Sequence, residues 1–81
     1  MSHVRAHIRL TTQGDVMDLI HDLREFSDHE FSIENFSGTQ RANAKSLLGV
    51  LYASGDYGDE MYLINDTVDG EFPVAIDRFR A

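Results

Sequence analysis

Val4, Ala6, Ile8 and Leu10 alternate with His3, Arg5, His7 and Arg9, a period of two that predicts a half-buried strand from His3 to Leu10. Thr11 to Gly14 reads as a turn. Val16, Leu19, Ile20, Leu23 and Phe26 then recur at helical spacing, predicting a first helix from about Asp15 to Phe26, with Asp15 as N-cap and Asp18 three residues on. Asp18, His21, Asp22 and Glu25 form its solvent face. After a polar break at Ser27 to Glu30, Phe31 and Ile33 share one side of a second strand from Phe31 to Phe36, and Ser37-Gly38-Thr39 supplies a turn. Gln40 to Lys45 reads as a short third strand with Ala42 and Ala44 pointing inward. A second helix is expected from Ser46 to about Ser54, with Gly55 at the left-handed position after it. An acidic loop from Asp56 to Asp59 precedes a fourth strand, Glu60 to Asn65. Pro73 suits the first turn of a third helix that would bury Phe72, Ala75, Ile76 and Phe79. The order βαββαβα predicts an α+β fold with helices laid on one face of an antiparallel sheet.

Eighty-one residues make one domain, 1–81, of a size at which a single core gives only modest stability. The apolar runs are too short to span a bilayer, and the first residues lack the apolar core of a secretory signal. The absence of cysteine excludes a disulfide framework and thiolate metal sites. A cytoplasmic location, away from the membrane, is the expectation. A net charge of −7 argues against nucleic-acid binding, which needs a basic patch. His3, Arg5, His7 and Arg9 read as one solvated strand face, so the expected partners are proteins.

Candidate chemistry is sparse. Asp56, Asp59 and Glu60 lack the spacing of a calcium loop, and no nucleophile elbow or phosphate-cradling glycine loop is present. Neither an enzyme, a cofactor nor a metal is expected. The informative stretch is Asn43-Ala44-Lys45-Ser46-Leu47-Leu48-Gly49-Val50-Leu51. Ser46 can accept backbone N–H bonds at the start of a helix, where a phosphate would also face the positive end of the helix dipole. Leu47, Leu48, Val50, Leu51 and Tyr52 cannot all face one sheet from a three-turn helix, so some apolar surface must point out.

This stretch, the element order, Gly55 and Glu60 together resemble the HPr family, the histidine-containing phosphocarriers of the bacterial sugar phosphotransferase system. The resemblance is specific from Asn43 to Val50 and one of pattern elsewhere. It implies an open-faced β-sandwich, a four-stranded antiparallel sheet covered by three helices. In that family a Gly-x-His-Ala-Arg-Pro-Ala motif opens the first helix, and its histidine relays phosphate from enzyme I to sugar permeases. Here Gly14-Asp15-Val16-Met17-Asp18-Leu19-Ile20 stands in its place. The glycine remains and the histidine, arginine and proline are gone, while Asp15 and Asp18 would repel an incoming phosphoryl group.

The position that survives is Ser46. In Gram-positive members such a serine is phosphorylated by HPr kinase, and the product binds a LacI-type transcriptional regulator in carbon catabolite repression. The resemblance therefore implies a regulatory or interaction protein with Ser46 as candidate switch and Leu47, Leu48 and Leu51 as contact patch. Ser46 as a plain helix cap, and the leucines as local core packing, are the competing readings, and Arg41 is a candidate substitute for the missing arginine. The alternatives for the whole chain are a phosphocarrier using a non-standard histidine, such as His21 or His29, and an unphosphorylated binding scaffold. A monomer or weak homodimer is expected.

Overall fold

The computed structural model describes residues 4–81. His3, assigned to the first strand by its alternation, lies outside the described residues. The chain forms β1 (Ala6–Ile8), α1 (Gln13–Arg24), β2 (Phe31–Glu34), β3 (Arg41–Asn43), α2 (Leu47–Asp56), β4 (Met61–Asn65) and a 3-10 helix, Val74–Phe79. The fold is α+β: a four-stranded antiparallel sheet in the order β1-β4-β2-β3, with three helices. It is compatible with an HPr-like βαββαβα arrangement.

Every pairing in the sheet is antiparallel, with Ala6 opposite Leu63, Ile33 opposite Leu63 and Ile33 opposite Ala42. Side chains alternate across the pleat, so Ala6, Ile8, Phe31, Ile33, Met61 and Leu63 meet Val16, Leu19, Ile20 and Leu23 of α1 and Val50 and Ala53 of α2 in one core. Burying each large aliphatic side chain contributes about 1.5–3 kcal/mol. On the other face Ser32 and Glu34 are nonetheless buried. Arg41 bonds Glu34 through Nε and Nη2, Arg5 lies 3.7 Å from Glu34, and Asp66 accepts from Ser32 and from Arg41 Nη1. Opposite charges thus cover these strands where a helix does not.

Four expectations from the pattern need correction. Val4 is exposed although it alternates correctly, because the β1–β4 ladder ends at the Ala6–Leu63 pair and the Val4 amide donates to Asp69 Oδ1 at 2.9 Å. The N-cap of α1 is Thr12, whose hydroxyl accepts from the Asp15 amide at 3.1 Å while Asp15 reaches back to the Thr12 amide at 3.2 Å. That reciprocal pair moves the helix start forward and makes Asp15 the third residue of the helix. Gly55 lies inside α2, which continues to Asp56; Gly58, at φ 61°, takes the left-handed conformation instead. The last helix is 3-10, closed by the Ile76 amide donating to the Pro73 carbonyl at 3.1 Å. Its three-residue period buries Pro73, Ile76 and Phe79 and leaves Ala75 exposed.

The residues after this helix return along the free side of β1. The Arg9 amide donates to the Phe79 carbonyl at 2.7 Å, the Ala81 amide donates to the His7 carbonyl at 2.9 Å, and Ile8 bridges Arg80.

Candidate functional site

Ser46 occupies the position expected of it. Its backbone is extended (φ −99°, ψ 124°), and its Oγ accepts the Gly49 amide at 3.2 Å. Asn43 fixes the approach: its side-chain oxygen accepts the Lys45 amide at 2.9 Å and its carbonyl accepts the Ser46 amide at 3.1 Å. Two cations stand next to the cap. Lys45 Nζ donates to the Phe26 carbonyl at 2.7 Å, and Arg24 Nη2 donates to the Lys45 carbonyl at 3.1 Å.

From this cap α2 divides its apolar residues in two. Val50 and Ala53 enter the core, while Leu47, Leu48 and Leu51 remain exposed, Leu48 to 80%. Met17 is also exposed; with Gln13, Val16, Leu47 and Leu51 it lines an apolar cavity of about 150 Å³ between the starts of α1 and α2. The spacing of α1 already set Met17 off its core face. What the chain alone did not show is that the fold joins it to the leucines of α2.

Gly14 and Asp15 lie at the other side of the α1 start. The Asp15 carboxylate turns back on the cap, accepting from the Thr11 amide at 2.8 Å, the Thr11 hydroxyl at 2.7 Å and the Thr12 amide. The Thr11 hydroxyl and amide, ahead of those of Thr12, hold its pKa below the ordinary carboxylate value. A cavity of about 580 Å³ beside it is lined by Asp15 and Asp18 and also by Arg9, Arg78 and Arg80. The local charge is therefore mixed, which corrects the expectation of a wholly repulsive site: Arg9 comes from just after β1, and Arg78 and Arg80 come from the last residues, far away in sequence. Arg78 is held by Asp22 at 2.6 Å and Arg80 by Asp77 at 2.9 Å.

No histidine lines this cavity. His21 is exposed mid-helix, 3.6 Å from Glu25. His29 Nδ1 lies 2.8 Å from Nδ2 of the buried Asn65, whose Oδ1 accepts the Thr67 and Val68 amides and whose Nδ2 also donates to the Glu71 carbonyl. That network uses the full bonding capacity of the asparagine, so His29 Nδ1 is an acceptor and the ring proton sits on Nε2. His7 Nε2 donates to the Asp59 carbonyl at 2.8 Å. Arg41, the candidate substitute for the missing arginine, is bound to Glu34 and Asp66 on the far face of the sheet. Its pKa is raised, first by the Glu34 hydrogen bonds.

Among the described residues no group of acidic or histidine side chains could hold a metal ion, and no helix is long and apolar enough to cross a membrane. The chain matches no family model, no curated protein and no solved structure.

Proposed function

We propose that this chain is a cytoplasmic protein-interaction module of the HPr type that does not relay phosphate through histidine. The carrying observation is the apolar surface that Met17, Leu47 and Leu51 form where the starts of two adjacent helices meet, with Leu48 exposed on the same first turn of α2 that Ser46 caps. A rigid apolar patch of this kind supports docking. Phosphorylation of Ser46 places about two negative charges at a helix N-terminus, next to Lys45 and Arg24, and so switches the character of the patch without remodelling the core. HPr kinase and a LacI-type regulator are the partners this reading names. An unphosphorylated scaffold is the second reading, favoured by the Ser46 hydroxyl already being engaged as a cap.

Incubation with HPr kinase and ATP should add one acid-stable phosphate, absent from Ser46→Ala, and the product should bind the regulator. Leu48→Glu should keep its stability within about 0.5 kcal/mol while losing that binding. A Ser46 left untouched by the kinase selects the scaffold reading. Acid-labile phosphate on any histidine after treatment with phosphoenolpyruvate and enzyme I overturns both.

A further inference from the structure

The opposite end of α2 carries a second feature that the docking patch does not use. Between Ser46 and Asp77 there are seven acidic residues and no lysine or arginine, so this stretch alone accounts for the whole net charge of −7. Asp56 is the last residue of α2 and has no basic residue in the last turn to offset it. A carboxylate there adds to the negative end of the helix dipole. Beside it a cavity of about 390 Å³ opens toward the β2–β3 turn, lined by Asn35, Phe36, Gln40, Asp56, Tyr57 and Glu60.

Three kinds of group meet around this space. Asp56 and Glu60 bring carboxylates that form no ion pair among the described residues; their only side-chain partners are hydroxyls, Tyr52 at 3.4 Å and Tyr62 at 2.8 Å. Phe36, 65% exposed, brings an aromatic face. Tyr57 is more than nine-tenths buried, and its hydroxyl has no hydrogen-bond partner among the described residues, an unfavourable state for a buried polar group. Burial raises the Tyr57 pKa, with the neighbouring Tyr52 and Asp56 adding to it, so the neutral phenol is retained and its oxygen can accept a proton donor. Arg5, which bonds the Phe36 carbonyl at 3.2 Å, does not neutralise the cavity, because it pairs with Glu34 and lies over the Tyr62 ring.

We propose that this cavity binds an alkylammonium group, taken either from a free polyamine or from a lysine side chain of another protein. An ammonium has three donors and no acceptor. It would match two carboxylates and an unpartnered phenol oxygen, with its methylenes against Phe36. The proposal is independent of the docking patch and of Ser46, since neither contributes to the cavity.

The test is an amide NMR titration of the full chain with putrescine and with a capped lysine, against n-butanol and sodium chloride of equal ionic strength. Saturating shifts are expected at Phe36, Gln40, Tyr57 and Glu60 with the two amines and not with the controls. Asp56→Asn and Glu60→Gln lie on the surface and should each weaken binding about fivefold, the worth of one charge pair near 4 Å in a solvent-like dielectric. Tighter binding of putrescine identifies the free amine as ligand, and tighter binding of the capped lysine a protein side chain. Shifts spread evenly over Asp66, Asp69, Glu71 and Asp77, or binding unchanged in both variants, overturn the proposal.

Discussion

Asp15 is the third residue of α1, and its oxygens are directed back to the backbone of the helix start. Three bonds from Thr11 and Thr12 favour the charged form, which lowers its pKa in the folded chain. A carboxylate with a depressed folded pKa contributes stability above its unfolded value, about 3.9, and loses it as the pH falls through the folded value. Asp15→Asn keeps an acceptor oxygen but cannot titrate. The variant should melt below the parent at pH 7, and the gap should close below about pH 4 as the parent's carboxylate is protonated. Melting curves at the two pH values check this; a gap that persists in acid would mean that shape, and not charge, makes the cap.

The contrast between Ser46 and Gly49 decides how α2 begins. Ser46→Ala removes an N-cap and should cost about 0.5–2 kcal/mol, while Ser46→Asp should be tolerated because the dipole favours an anion there. Gly49 is held by space: a Cβ on it would sit 2.9 Å from the Asn43 carbonyl oxygen and 3.4 Å from Ser46 Cβ. Alanine favours a helix interior by about 1 kcal/mol over glycine, yet crowding against backbone costs about 1–3 kcal/mol. Gly49→Ala should therefore lower the denaturant midpoint, and a raised midpoint would show that Asn43 yields. The element order and the cap of α2 were legible in the chain because spacing and capping chemistry are local. Thr12 was not, since a threonine and an aspartate three residues apart can each be read as the cap until the backbone shows which one is extended. The period of the last helix was hidden for a similar reason: Phe72, Ile76 and Phe79 satisfy the α spacing, and only the buried Pro73 reveals a repeat of three. Of the contact patch the leucines were visible, whereas Met17 joins them through tertiary packing alone.

Charge is distributed unevenly over the molecule as a whole. The chain outside Ser46 to Asp77 is balanced, and the excess is confined to that stretch. A net excess of like charge on a small fold repels itself, and salt screens it over roughly 10 Å at 0.1 M. Raising sodium chloride from about 0.02 to about 0.3 M, where the screening length falls below about 10 Å, should raise the melting temperature. A fall would mean that attraction within the Arg5–Glu34–Arg41–Asp66 network outweighs that repulsion. Finally, the hydrogen bonds from Arg9 to Phe79 and from Ala81 to His7 close one side of the sheet. A chain cut before Arg80 would bare that rim, and a bared rim is a template on which further chains can stack into fibres.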